Sequence, residues 1–162
     1  MTTTSQTATI FALSSGQPPA AIAVIRISGP AALEAARALT TRDLPEPRRA
    51  ALRRFVDPRT GEIIDEGLLV TFPGPRTETG EDMVELHCHG SHAVVRGISA
   101  ALDDLPGLRL GEPGEFTRRA FLNGKMDLAG IEGLSDLLAA ETALQRRAAM
   151  TMMGGALSRD IE

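Results

Sequence analysis

The chain has 162 residues and a mass of 17.2 kDa, the size of one domain with a short extension. Apolar residues make up 43% and charged residues 23%, which excludes wholesale disorder, and no apolar run approaches the roughly 18–20 residues of a membrane-spanning helix. The net charge of −4 gives no general reason for nucleic-acid binding, and one cysteine cannot build a disulfide framework. The start MTTTSQTATI lacks the basic and apolar regions of a signal peptide, so a cytoplasmic chain is expected.

Ala8–Leu13 is a short apolar run and reads as a strand, followed by turn residues from Ser14 to Pro19. Ala20–Ser28 (AAIAVIRIS) is dense in Ile and Val and nearly continuous, which predicts a strand covered on both faces. Gly29-Pro30 opens a predicted helix to about Leu39, with Pro at its first position. Strands are predicted at Ala50–Val56, Leu68–Phe72 and Met83–His89. Ser91 caps a helix whose apolar face is Val94, Ile98, Ala101, Leu102 and Leu105. A last short strand spans Leu108–Leu110. A helical piece then covers Phe116–Leu122, and Asn123-Gly124 breaks it. A longer helix is expected from its cap Asp127, with a stripe of Leu128, Ile131, Leu134, Leu137 and Leu138. That stripe has little left in the chain to pack against, which suggests self-association.

Charge is unevenly spread. Residues 37–60 hold seven Arg against three acids, and residues 61–90 hold seven acids against Arg76 alone; solvated faces of adjacent strands or loops account for both blocks. Sixteen of the 17 basic residues are Arg, so Lys125, the only lysine, marks a place where a compact ammonium is wanted or is simply a surface residue.

Three chemistries are tested and set aside. Strand alternation puts Glu85, His87 and His89 on one face, but three such residues span about 13 Å, too far for one ion. Cys88 falls on the opposite, inward face as a small core residue. Asn123-Gly124-Lys125-Met126 lacks the first Gly and the hydroxyl of a phosphate-binding P-loop, so no nucleotide hydrolysis is expected of this chain. No G-x-S-x-G elbow is present. Ionisable residues in awkward places remain. Arg26 inside IAVIRIS needs an anion or carbonyl partner, which a strand carboxylate or a ligand could supply. Glu85 is its candidate strand partner.

At these residues the sequence resembles a known family. IAVIRISGPAA, FPGPRTETGEDMVELHCHGSHAVV and PGEFTRRAFLNGKMDLAGIEGLSDLL match, in order, the N-terminal part of the bacterial tRNA-modifying GTPases of the MnmE (TrmE) family. The likeness covers about residues 8–157. It implies an α/β mixed-sheet, folate-binding and dimerisation domain over residues 1–118, similar to the folate-binding domain of aminomethyltransferase. Residues 119–162 would begin an α-helical domain, cut off before the G domain. It further implies that Arg26, Glu85 and Lys125 contact a tetrahydrofolate derivative, 5-formyl- or 5,10-methylene-tetrahydrofolate. No metal is implied in this segment; GTP, Mg and K belong to the G domain. The implied partners are a second copy, the FAD-containing protein MnmG (GidA) and, through their complex, tRNA modified at C5 of the wobble uridine, with no membrane. Three departures stand out. Residues 14–19 replace a glycine-rich turn, and His87 and Ser91 stand where Gln and Gly are expected. The alternative is a structural dimerisation and partner-docking module that uses no ligand.

Overall fold

A computed structural model of the chain describes residues 8–125, 139 and 141–147. Six strands form one mixed sheet: β1 (Thr9–Leu13), β2 (Ala20–Ser28), β3 (Ala51–Val56), β4 (Ile63–Phe72), β5 (Met83–Gly90) and β6 (Leu108–Leu110). Three helices intervene, α1 (Ala32–Leu39), α2 (His92–Asp103) and α3 (Glu115–Leu122), and residues 139 and 141–147 are also helical. The strand order is β3-β4-β5-β2-β1-β6, antiparallel throughout except for the parallel pair β1–β6. The chain is therefore α/β with a mixed sheet. Among the described residues, no helix is long and apolar enough to cross a membrane.

One face of the sheet carries the main core. Phe11, Leu13, Ala23, Ile25, Ile27, Leu69, Val84 and Leu86 pack beneath α1 and α2, whose buried residues include Ala35, Leu39, Val95, Ile98 and Leu102. Helix α2 begins as its sequence dictates, with the Ser91 hydroxyl accepting from the Val94 N–H at 3.2 Å. On the other face α3 covers β1, where Phe116 meets Ile10 and Ala12. The expected start of a second domain at residue 119 falls inside α3.

Four expectations need correction. Strand β2 is not covered on both faces: Ala23, Ile25 and Ile27 are buried, while Val24 and Arg26 are half-buried and Ala20–Ile22 exposed. The apolar run hides a true alternation, because the second face is roofed only locally. Helix α1 starts at Ala32, two residues after Pro30, and the Ala31 N–H ahead of it donates to the Thr9 hydroxyl at 2.7 Å. Strand β4 begins at Ile63, five residues before Leu68. Its acidic first half, Asp65-Glu66-Gly67, pairs with the arginines of β3 (Arg53 opposite Gly67, Arg54 opposite Glu66), with an Arg54–Glu66 ion pair at 3.7 Å. In α2 the buried face is Val95, Ile98, Ala101 and Leu102, so Val95 joins the expected residues, while Val94 and Leu105 are half-buried and pack against the same core. The Asp127 cap and the Leu128–Leu138 stripe lie outside the described residues.

Candidate functional site

The open face of the sheet is set by register. Arg26 of β2 stands opposite Glu85 of β5 and Ala12 of β1, so a guanidinium and a carboxylate meet in the middle of the sheet. Arg26 Nη2 donates to Glu85 Oε2 at 3.3 Å, and Glu85 Oε1 is 3.0 Å from His87 Nε2. A second carboxylate, Glu78 from the loop after β4, reaches Arg26 Nη1 at 3.5 Å. Even so, among the described residues the buried Arg26 Nε has no hydrogen-bond partner. A desolvated charged donor without an acceptor is costly, which is the signature of a group awaiting one.

Around Arg26 lies a cavity of about 560 Å³. Leu13 and Ser14 at the end of β1 form one wall, and Thr77, Glu78 and Thr79 form a second. The third combines Phe116, Thr117 and Ala120 of α3, Lys125, and Glu141, Leu144 and Gln145 of the 141–147 helix. The volume and the mixture of apolar wall with a few polar groups suit a small organic ligand. Arg26 and Lys125 thus border one space. Glu85 is beside Arg26 rather than among the lining residues, its oxygens engaged by Arg26 and His87.

The 77–82 loop is fastened by buried polar contacts. Ser28 Oγ lies 2.7 Å from Thr79 Oγ1 and donates to Glu81 Oε1 at 2.8 Å, and Asn123 Nδ2 donates to the Thr79 carbonyl at 2.7 Å. Arg119, almost fully buried, binds Glu81 at 3.1 Å and Glu115 at 3.0 Å. Arg109 adds a 2.6 Å bond to Glu115. Burial opposes charge on Glu115, but the Arg109 hydrogen bond, the Glu112 N–H and the charges of Arg109 and Arg119 outweigh it and hold the carboxyl below the usual range. Gly80 has φ +84, and a Cβ there would come within 2.8 Å of Asn123 Cβ and 3.3 Å of Lys125 Cε. Its missing side chain lets Lys125 approach the loop.

Sequence reasoning missed Glu78, Glu141 and Gln145. Thr77-Glu78-Thr79 lay within a segment quoted for the resemblance, but nothing in its spacing shows that the loop folds back over β2. Among the described residues no group of three or more His, Cys, Asp or Glu could hold a metal ion. His87 instead pairs with Glu85, and His89 turns to Asp65 at 2.8 Å. Cys88 is buried, and burial, with the charge of Asp65, pushes its thiol up to about 12.

Comparison with known proteins bears on the family of the chain. The family described as "GTP-binding protein TrmE N-terminus" matches residues 9–125. The tRNA modification GTPase MnmE of Novosphingobium aromaticivorans is 60% identical over 156 residues, 96% of this chain and 36% of that protein. The protein of the same name from Zymomonas mobilis subsp. mobilis is 60% identical over 153 residues, 94% of this chain and 35% of that protein. The human mitochondrial 5-taurinomethyluridine-[tRNA] synthase subunit GTPB3 is 58% identical over 151 residues, 93% of this chain and 31% of that protein. The chain thus spans 36% or less of the length of these three curated relatives. Three motifs in order, the fold over residues 9–125 and these identities lead to one conclusion: the chain belongs to the TrmE N-terminal family of tRNA modification GTPases.

Proposed function

We propose that this chain is the tetrahydrofolate-holding and self-associating segment of an enzyme that modifies the tRNA wobble uridine. The observation that carries the reading is the cavity itself, with the orphaned Arg26 Nε and the Lys125 ammonium on one space of about 560 Å³. A folate offers a planar ring with N–H donors and carbonyl acceptors at one end and carboxylates at the other. Cations and carboxylates around one space suit such a molecule. Arg26 and Lys125 would hold its acceptors, and Glu85 keeps Arg26 charged and in place from beside it. When bound, the folate, as the 5-formyl or 5,10-methylene derivative, supplies a one-carbon unit. In this reading the cytoplasmic MnmG (GidA) partner and tRNA meet the folate-loaded dimer. GTP, Mg and K belong to a G domain, since this sequence contains no P-loop motif.

Self-association is supported by the open face of the sheet. Leu52, Leu68, His87 and Val24 follow one another across β3, β4, β5 and β2, and Leu52, Leu68 and Ile22 are 58%, 41% and 60% exposed. Exposed apolar side chains so placed suit contact with a second copy. Isothermal titration of the chain with 5-formyltetrahydrofolate tests the ligand, and the absence of Trp and Tyr leaves the near-ultraviolet free for folate absorbance. No heat at high protein concentration rejects the ligand reading. It leaves the docking-module alternative, which sedimentation equilibrium of the wild type and Leu68→Glu then tests.

A further inference from the structure

Among the described residues, Arg48 is the one residue other than glycine with a left-handed backbone, at φ +66 in the loop before β3. That conformation is disfavoured for a residue with a Cβ, and residues held in it cluster where proteins bind or act. Three contacts hold Arg48. Its N–H donates to the Thr71 carbonyl at 2.8 Å, its guanidinium lies 5.7 Å from the centre of the Phe72 ring, and its Nη2 donates to the Arg76 carbonyl. None of the three neutralises the cation. Arg37, Arg49, Arg54 and Arg59, from the same arginine-rich stretch, each have a carboxylate within 3.7 Å. Arg48 has none among the described residues, and its side chain is exposed. Arg76 is likewise exposed and, among the described residues, unpaired. The acids next to these two in the chain are already engaged: Glu46 by Arg49, Glu78 by Arg26, Glu81 by Arg119, and Asp82 by the Gly74 N–H.

We propose that Arg48 and Arg76 hold a phosphate of the RNA backbone and so dock the substrate RNA beside the cavity. This rests on the reading of the chain as part of a tRNA-modifying enzyme and is independent of which small molecule the cavity takes. With a net charge of −4 the chain as a whole repels RNA, so attraction has to come from a local excess of cations. A guanidinium stacked on an aromatic ring keeps its N–H edge for an anion, and its planar fork matches phosphate oxygens. Arg48 is pre-set in this way by Phe72 and the Arg76 carbonyl, which lowers the entropy lost on binding. The place also fits the chemistry. Arg76 immediately precedes Thr77, and Thr77, Glu78 and Thr79 line the cavity, so a phosphate held here brings the RNA to the outer side of that loop.

Fluorescence anisotropy of a labelled tRNA anticodon stem-loop with the 162-residue chain, at 50 and 200 mM KCl, tests the proposal. The double variant Arg48→Gln, Arg76→Gln is expected to bind about ten-fold more weakly at 50 mM, and its slope of log affinity against log salt should be shallower by about 1.5, two single-strand phosphate contacts. Arg59→Gln, the same charge change on an arginine already paired with Asp57 and Asp104, should stay within about two-fold of wild type. Arg48→Gly separates binding from folding, since glycine takes the left-handed backbone without strain. Its Tm is expected within about 3 °C of wild type while RNA binding falls. A lower Tm with unchanged RNA affinity makes Arg48 structural and overturns the proposal. So does absence of wild-type binding, or equal weakening by Arg59→Gln and the double variant. Binding of polyglutamate but not of the stem-loop transfers the surface to an acidic protein and also overturns it. Affinity for 5-formyltetrahydrofolate should be unchanged in all these variants, because neither Arg48 nor Arg76 lines the cavity. A failure of the folate reading therefore shows in that titration alone.

Discussion

Arg119→Met removes the cation that ties α3 to the 77–82 loop. Met has similar length and no charge, so packing changes little, while Glu81 and Glu115 each lose a bond of 3.1 and 3.0 Å. Breaking a buried ion pair from one side typically costs about 3–5 kcal/mol. Here the loss is softened. Glu115 keeps Arg109 at 2.6 Å and the Glu112 N–H at 2.9 Å, and Glu81 keeps Ser28 and is 18% exposed. About 2–3 kcal/mol is the expected cost, a fall in Tm of roughly 5–10 °C for a chain of this size. The effect should also depend on pH. The folded Glu115 carboxyl titrates below its ordinary value. Its contribution is therefore full above the unfolded value of about 4.3 and is lost as pH falls through the folded value. Differential scanning calorimetry at pH 7 and at acid pH should show the gap between wild type and Arg119→Met narrowing in acid. A shift below about 2 °C at pH 7, or an equal shift at both pH values, refutes the reasoning.

Gly67→Ala should break the β4–β5 pairing, because a Cβ at Gly67 would stand 2.0 Å from the His87 carbonyl oxygen. A cost of about 3 kcal/mol or more is expected in urea unfolding, and a midpoint equal to wild type would contradict the register. Cys88, buried and with its thiol pushed up to about 12, should resist an aromatic disulfide reagent at pH 8 in the folded chain and react at once in denaturant. Rapid labelling of the native chain would place Cys88 outside the core.

Much of the fold was legible because local chemistry and tertiary context agree. Val84, Leu86 and Cys88 alternate with Glu85, His87 and His89 in the sequence and again in the strand. Ser91 announces its helix by the hydroxyl that caps it. Where they disagreed, the extra residues belong to tertiary pairing: Asp65 and Glu66 enter β4 opposite Phe55 and Arg54 of β3, and Asp65 also bonds His89 of β5.

The sequence by itself determined the strands in outline, the Ser91 cap and the oddity of Arg26, since a guanidinium in an apolar run must be neutralised whatever the fold. It also made Glu85 the candidate partner, two strands apart in the chain. Only the tertiary structure decided that Arg26 and Lys125 border the same cavity, that Glu85 stands beside Arg26, and that Glu78, Glu141 and Gln145 line its walls. Strand and helix periods report which face a side chain takes along its own element. They carry no information on which distant loop will fold across that face, and the walls of this cavity come from four segments separated by as many as 132 positions (Leu13 to Gln145).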